Sequence, residues 1–584
     1  MFEGDFLRVL NIDLSAGTFC VTERPDLKPL LGGVGIAAKL MLETAAWDKA
    51  PLDPEQPVIF AVGPLSGIFP LATKVAAVFR SPLTGEWGES YAGLRGALAM
   101  RFAGYDAVVI KGRAARPAYL RIDRNGVLFR DARGLWGLDV EETGRLLREF
   151  EPGRGHRSTW RIGPAGENLV YLAGVNVDTF RHFGRLGLGA VFGSKNLKAV
   201  VVDGTKTYPI RDPKAYNAAY EAVYREVVGK PRMAKYHQIG TAENVMRLNE
   251  TGSLPTMNLQ AGRFSAAREI SGETFGEKSL TRILACTGCP VGCIHIGIHR
   301  RRHPEGFGYV SSSLAYDYEP IYSLGPMLGL DSTDKIYALL AVIEAMGLDA
   351  ISTGVTLAWA TEALKRGVIG EKETLSPLEF GEEKGYVTAV RHLASPPNAF
   401  YRDLAKGLAH AASRYGGEDF ALTLGGHEMA GYHTGYGFLL GHTVGARHSH
   451  LCNGGYLFDM KHGADFDDAA LIEYLIAEEE WRNVLNSLVV CLFARGVYTP
   501  EASARALGSI GIPTTPEELN AAGRKVFRLK WEVKRKLDYS LDSVRIPKRY
   551  FETPSGTGRL EPERFERLLQ LYRKRLAEEL GGSQ

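Results

Sequence analysis

The chain has 584 residues, 45% of them apolar, with 70 basic and 67 acidic side chains and a formal charge of +3. That size buries a core without disulfide staples, and the balanced charge excludes the electrostatic footprint of a nucleic-acid-binding protein. No apolar run approaches the roughly 18 residues of a membrane span, and the N-terminal segment MFEGDFLRVLNIDLSAG, with Glu3 and Asp5, lacks the basic and apolar regions of a signal peptide, so a soluble, cytoplasmic protein with no membrane partner is expected.

Up to about residue 205 the apolar runs are short and rich in β-branched or aromatic residues: FLRVLNIDL, PVIFAV, KVAAVF, DAVVIKG, AYLRI, NLVYLAGV and KAVVVDG. They read as strands, separated by turn signals such as Ser15-Ala-Gly17 and Asp123-Arg-Asn-Gly126, in a mainly antiparallel arrangement interleaved with a few helices. After Lys206 the periodicity becomes helical in DPKAYNAAYEAVYREVV, TDKIYALLAVIEAMG and DDAALIEYLIAEEEWRNVLNSLVV. Asp212-Pro213 supplies an N-cap and a first-turn proline. The expected fold class is therefore α+β, a β-rich domain over residues 1–207 followed by two mainly helical domains over 208–420 and 421–584. The second boundary rests on the Gly- and His-rich, aperiodic stretch that follows Tyr415-Gly-Gly. No internal repeat is visible.

Three of the six cysteines lie within eight residues, Cys286-Thr-Gly-Cys289-Pro-Val-Gly-Cys293. Gly288, Pro290 and Gly292 provide turn-forming backbone that lets the thiolates converge on a metal. A zinc knuckle is the alternative, with His295 and His299 nearby, but a second CxxC or HxxxH pair is missing. A [4Fe-4S] cluster needs a fourth thiolate, from Cys20, Cys452 or Cys491. The spacing is the reverse of that in radical-type cluster enzymes, which argues for electron transfer.

Two further features carry chemistry. The stretch Gly184-Arg-Leu-Gly-Leu-Gly-Ala-Val-Phe-Gly-Ser-Lys195 fits neither a Walker A loop nor the dinucleotide fingerprint; it is either a structural Gly-rich turn or an anion loop assisted by Arg181 and Arg185. Glu319 sits in the aromatic run Tyr316-Asp-Tyr-Glu-Pro-Ile-Tyr322, where desolvation would raise its pKa toward neutrality, and six histidines fall between His427 and His462.

With these motifs in view, the chain resembles the tungsten-dependent aldehyde ferredoxin oxidoreductase family nearly end to end. The resemblance is carried by Phe79-Arg-Ser-Pro-Leu-Thr-Gly85, Phe102-Ala-Gly-Tyr-Asp106, Gly187-Leu-Gly-Ala-Val-Phe-Gly-Ser-Lys-Asn-Leu-Lys-Ala199 and the CxxCxxxC motif, with Cys491 where the family supplies a fourth cluster ligand. It implies one tungsten, or molybdenum, held by two pyranopterin dithiolenes, a [4Fe-4S] cluster beside one pterin, and Mg2+ bridging the pterin phosphates, all cradled by the N-terminal domain. By the same resemblance, Arg181, His182, Gly184 and Arg185 meet pterin phosphates, Tyr91 and Gly93 form a second phosphate segment, and the carbonyls of Tyr91 and His182 contact magnesium. Lys74 stands where an arginine usually links cluster and pterin, keeping the charge and losing the planar fork.

The family's D-x-x-G-L-(C/D) pterin motif reads here as Glu344-Ala-Met-Gly-Leu348-Asp349 and Asn486-Ser-Leu-Val-Val490-Cys491, each departing at its first position. Leu348, Asp349, Val490 and the following Leu492 join the expected cofactor contacts. Glu319 and His448 match the active-site glutamate and histidine, and His450 is placed with the cofactor contacts. The function implied is oxidation of a small aldehyde to a carboxylic acid, with electrons leaving through the cluster to ferredoxin or a ferredoxin-like subunit, in a possible homodimer. The alternatives are another substrate on the same architecture, such as a sugar aldehyde or acyl derivative, or an iron–sulfur carrier without its own chemistry.

Overall fold

A largely buried first strand, LRVLNID, and the hairpin turn at Ser15–Gly17 start a sheet whose pattern is then repeated. In the computed structural model, which describes residues 7–153, 155–303, 306 and 308–581, the first half runs β1 (Leu7–Asp13), β2 (Thr18–Arg24), α1 (Gly33–Thr44), β3 (Val58–Ala61), β4 (Val75–Arg80), β5 (Trp87–Ala92), α2 (Gly96–Ala103) and β6 (Ala107–Lys111). The second half runs β7 (Ala118–Asp123), β8 (Gly126–Asp131), α3 (Val140–Phe150), β9 (His156–Arg161), β10 (Val175–Val177), β11 (Arg181–Phe183), α4 (Leu188–Ser194) and β12 (Leu197–Gly204).

The first half makes a six-stranded sheet ordered β2-β1-β6-β3-β4-β5, and the second a six-stranded sheet ordered β8-β7-β12-β9-β10-β11. In each, one parallel pair (β1 with β6, β7 with β12) interrupts an antiparallel ladder. The two sheets thus share one topology, a duplication that the sequence conceals. They also share a core: Phe60 packs against Trp160, Phe183 and Phe192 at centroid distances of 4.7, 5.5 and 6.0 Å. Tyr91 on β5 pairs with Ala76, and His182 on β11 pairs with Asn176, so Tyr91 and His182 occupy equivalent positions in the two halves.

The run NLVYLAGV is not a strand over most of its length; β10 begins only at Val175. Its backbone is committed elsewhere. Asp349 N donates to Leu172 O at 2.8 Å and Gly174 N to Gly347 O at 3.0 Å. These bonds dock the end of one helix on the second sheet, which leaves residues 172–174 unable to join a ladder.

The helical remainder includes α5 (Pro213–Gly229), α6 (Pro231–Gln238), α7 (Tyr318–Leu324), α8 (Thr333–Met346), α9 (Ala350–Lys365), α10 (Tyr436–Val444), α11 (Asp468–Ser487) and α12 (Pro516–Lys536), with a three-stranded sheet of β13 (Leu280–Leu284), β14 (Ile294–Arg302) and β15 (Tyr309–Tyr316). Asp212 caps α5 as expected, accepting from Ala215 N at 3.0 Å. Packing does not break at residue 420: one apolar core runs from Ala165 through Leu393 and Leu424 to Leu576.

The duplication extends to the helix ends. Where α8 docks through Gly347 and Asp349, α11 docks through the equivalent residues, with Lys74 N donating to Val489 O at 3.2 Å and Cys491 N to Leu71 O at 2.9 Å. Gly347 has φ +76°, and its counterpart Val489 is forced to φ +52°, a left-handed conformation that a β-branched residue adopts only under strain. α1 permits this close approach because a Cβ on Gly33 would lie 2.3 Å from Asn486 O. Among the described residues no helix is long and apolar enough to cross a membrane.

Candidate active site and thiol cluster

The cysteine motif forms the turn between β13 and β14, with Gly288 and Gly292 at φ +76° and +60°. Cys289 N donates to Cys286 O at 3.0 Å and Thr287 N to Leu94 O at 3.2 Å, which ties the loop to the end of β5. Gly93 has no room for a side chain there, since a Cβ would come within 2.7 Å of Cys286 Sγ. Cys491 enters from the end of α11. Burial pushes the Cys289 thiol up to about 11 and Cys293 up to about 12, with the charge of Cys491 acting on both. Burial also raises Cys286, but Lys74 and Arg181 outweigh it and hold that thiol below its ordinary value.

Burial disfavours the Lys74 ammonium, yet Cys491, Cys286 and Cys293 prevail and raise it. The four thiols therefore share one electrostatic neighbourhood around Lys74. Among the described residues no three His, Cys, Asp or Glu side chains converge tightly enough for a single metal ion. Thiols that act on one another around one lysine, two of them (Cys289 and Cys293) kept protonated by burial until a cation replaces the proton, suit a cluster of metal ions.

The second constellation lies where α7, α9 and the segment after residue 425 meet the second sheet. Tyr318 donates its hydroxyl to Gly431 O and Tyr322 to Met429 O, fixing that segment against α7. Glu319, in the first turn of α7, accepts from Gly431 N at 3.2 Å through Oε2, and its Oε1 lies 3.4 Å from His450 Nε2. Burial pushes Glu319 up to about 7, opposed by the charge of Arg185 and the Gly431 amide. Burial, reinforced by Arg185, Arg447 and Arg482, holds His450 well below its ordinary value, so it is neutral. Its ring packs against Tyr432 and Tyr456 at 5.1 and 5.7 Å.

His448 is placed differently. With φ +50°, it has Nδ1 2.8 Å from Thr443 O, and its Nε2 lies 3.1 Å from Lys534 Nζ and 3.3 Å from Glu86 Oε2. Both ring nitrogens are committed to the fold. The histidine that the structure brings to Glu319 is His450, two residues on, because the left-handed residue 448 turns the chain and sends the two rings to opposite partners.

The remaining sequence-derived residues divide between the two halves. His182 Nε2 lies 2.7 Å from Glu344 Oε2, which also accepts from Asn176 at 3.3 Å. Arg185 donates to Glu428 O at 2.7 Å and, at 3.3 Å each, to Asp349 and Ser352. Asp349 also caps α9 through Ile351 N and Ser352 N. Arg181 sits instead on the thiol side, where its charge acts on Cys286 and Cys293. Gly184 faces open space, its nearest would-be contact 3.9 Å away. In the Gly-rich stretch the later glycines serve packing: a Cβ on Gly189 would lie 2.5 Å from Gly174 O, and one on Gly193 1.9 Å from Gly166 O. Leu348 bridges Ala173, Val490 is buried, Asn486 is buried at the end of α11, and Leu492 opens a half-buried turn beyond Cys491.

Sequence reasoning missed a buried charge network behind the site. Lys530 Nζ lies 2.5 Å from Glu89, which also accepts from Trp87 Nε1 at 2.9 Å and Tyr91 OH at 2.7 Å. Burial disfavours the Glu89 carboxylate, but Lys530 and Arg447 hold it down to about 2. Lys534 pairs with Glu86, and Arg447 donates to Glu89 O at 3.0 Å. The only available signal was Lys530 and Lys534 at helical spacing on α12, which reads as a solvated face.

Around Glu319 and Arg185 an unusual set of buried polar atoms has no hydrogen-bond partner: Arg185 Nη1, Glu319 Oε1, His427 Nε2, Glu428 Oε2, both ring nitrogens of His442, Arg447 Nε and His450 Nδ1. Leaving such groups unpaired costs about 1–3 kcal/mol each, so their concentration in one place is the mark of a polar ligand's binding site. A pterin cofactor, rich in donors and acceptors, fits this donor set.

The aldehyde ferredoxin oxidoreductase N-terminal domain profile matches residues 9–204, and the profile for domains 2 and 3 of that family matches residues 218–576. The chain is 32% identical over 601 residues to the tungsten-containing aldehyde ferredoxin oxidoreductase of Pyrococcus furiosus, covering 98% of this chain and 96% of that one. It is 29% identical over 424 residues to an aliphatic sulfonate oxidoreductase WOR-like subunit of the same organism, covering 69% and 66%. Its fold matches the active site complex BamBC of benzoyl coenzyme A reductase, with a TM-score of 0.82 and 20% identity over 98% of this chain and 94% of that one. The chain belongs to the aldehyde ferredoxin oxidoreductase family, whose N-terminal domain and domains 2 and 3 are both matched in its sequence.

Proposed function

We propose that the protein oxidises an aldehyde to a carboxylic acid with water as oxygen source, passing two electrons through a [4Fe-4S] cluster on Cys286, Cys289, Cys293 and Cys491 to ferredoxin or a ferredoxin-like subunit. The observation that carries this reading is the Glu319–His450 pair, set among buried polar atoms without partners and on the same chain as the four coupled thiols. When bound, a tungsten bis-pyranopterin supplies the two-electron redox chemistry and Lewis acidity.

The protein's own share is binding, orientation and proton transfer. Arg185, Glu344, Asp349, Asn486 and the equivalent segments around Tyr91 and His182 would hold the pterins, and the carbonyls of Tyr91 and His182 would be available to a Mg2+ ion. Lys74, buried beside the thiols, would supply a fixed positive charge between them and the pterin. The overall change, RCHO + H2O → RCOO⁻ + 3H⁺ + 2e⁻, requires a base near the attacking water. Glu319, with its carboxyl pushed up to about 7, is ionised above that pH and accepts a proton at Oε1. His450 is neutral, and its Nδ1, which has no partner, donates to the substrate oxygen in the tautomer that carries the proton there, with Nε2 left to accept from Glu319 once that carboxylate has taken up its proton.

The test is anaerobic turnover of tungsten-loaded protein with methyl viologen against a panel of aliphatic and aromatic aldehydes, sugar aldehydes and an alkyl sulfonate. Aldehyde-dependent reduction with the matching acid as product is expected. Reduction by the sulfonate alone, or by none of the panel, overturns the reading.

A further inference from the structure

The cysteine-bearing loops reach the surface through a collar of unusual charge. Residues 230–238, 280–293 and 489–500 contain Lys230, Arg232, Lys235, Arg282 and Arg495 and not one Asp or Glu, in a chain otherwise balanced at 70 basic to 67 acidic residues. These segments converge on the thiols. α6 is the clasp: His237 Nδ1 lies 2.8 Å from Val291 O and 3.1 Å from Gly292 O, on the loop between Cys289 and Cys293. Tyr236 stacks on Phe493 at 4.2 Å, two residues beyond Cys491, and Lys230 donates to Gly496 O at 2.7 Å. Cys289, Cys293 and Cys491 are half-buried and Gly288 is exposed, so this is the face where the thiols come nearest to water.

Part of the collar's charge is neutralised by Glu226, 3.2 Å from Lys230, and by Glu243, paired with Lys235. Among the described residues Arg232, Arg282 and Arg495 have no ion-pair partner, and Arg232 and Arg282 are exposed. On α5, the helix that leads directly into α6, Tyr224 and Val228 are 40% and 49% exposed. Exposed apolar residues on a helix that leads into a cation-bearing segment match the composition of a transient interface with an acidic partner, in which the charges steer encounter and orientation and the apolar contact holds the pair.

We infer that this face, Arg232, Arg282 and Arg495 with Tyr224 and Val228, docks an acidic one-electron carrier protein. The inference rests on the redox reading of the thiols above. Each aldehyde oxidised releases two electrons, so two carrier molecules are reduced in succession, one electron each, and the surface must release the reduced carrier between encounters. A small charged interface of this kind gives fast association and weak binding, as that cycle requires.

The probe is an acidic bacterial ferredoxin, with methyl viologen as a small acceptor that needs no docking surface. In the loaded wild-type enzyme, KM for ferredoxin should rise between about 0.01 and about 1 M ionic strength, where the screening length falls from about 30 to about 3 Å. The double variant Arg232→Glu with Arg282→Glu should raise that KM by about tenfold or more and flatten its salt dependence. Its viologen-linked turnover and iron content should stay within about twofold of wild type. Tyr224→Ser should raise the ferredoxin KM without changing the salt slope. An unchanged ferredoxin KM in the charge-reversed enzyme overturns the docking surface, as does a parallel loss with both acceptors. Failure of the redox reading is separable, because it abolishes viologen turnover in the wild type. Direct binding of oxidised ferredoxin at low salt, followed by fluorescence, then still tests the surface: weaker binding by the double variant supports it, and equal binding overturns it.

Discussion

Glu319 Oε1 lies 3.4 Å from His450 Nε2, and neither Glu319 Oε1 nor His450 Nδ1 has a hydrogen-bond partner within the protein. A carboxyl pushed up to about 7 beside a neutral imidazole is poised for proton transfer at neutral pH. Glu319→Gln should therefore lower turnover by about 10²–10⁴-fold with cofactor and iron retained. In the wild type, kcat should fall as pH drops below about 7, because the base must be ionised. That acid limb should be missing from the residual activity of the variant.

The two neighbouring histidines should fail in different ways. His450→Asn should cut turnover by roughly 10²–10³-fold, the scale for loss of a hydrogen bond to developing charge, with little change in unfolding. His448→Ala removes a ring tied to Thr443 O and Lys534 and should destabilise the protein by about 1–3 kcal/mol. Denaturation midpoints and viologen assays on both variants check this; equal stability loss with equal activity loss would remove the distinction.

How much of this was legible differs from residue to residue. The cysteine turn announced itself because three thiols in eight residues have few uses, and the α5, α8 and α11 periodicities were strong enough to survive any packing. The duplicated topology was invisible: a sheet order depends on which strands pair, and the pairing of Tyr91 with Ala76 and His182 with Asn176 leaves no matching words in the sequence. NLVYLAGV looked like a strand by composition, and lost that status because its amides and carbonyls were claimed by the end of α8. His448 and His450 could not be told apart in sequence, since the choice turns on one left-handed residue. Lys530 and Lys534 were missed because charge on a helix ordinarily means solvent, and with them went their partners Glu86 and Glu89 at the start of β5.

That buried network makes its own prediction. Lys530→Met leaves Glu89 ionised without its closest cation and should destabilise by about 3–5 kcal/mol, whereas adding Glu89→Gln should recover most of the loss. Glu89 has a folded pKa of about 2, below its unfolded value. Its contribution is therefore present above about pH 4.3, and is lost as pH falls from there through about 2. Urea denaturation across that window, in wild type and Glu89→Gln, checks the sign: the wild type should lose stability more steeply.

Cys491 is nearly two hundred residues from the other three cysteines in sequence, and its amide bonds to Leu71 O. Cys491→Ala should lower iron content toward a three-iron cluster, visible by EPR of the oxidised protein. Iron content and spectrum identical to wild type would assign the fourth ligand elsewhere.

The most direct measurement is anaerobic EPR of tungsten-loaded, oxidised enzyme before and after addition of one equivalent of aldehyde, in the absence of any external acceptor. Electrons released at the Glu319–His450 site should appear on the cluster, giving the signal of a reduced [4Fe-4S] centre together with the carboxylic acid. A cluster that stays oxidised while acid forms, or no acid from any aldehyde with metal and iron fully bound, would contradict the joining of these two sites in one reaction.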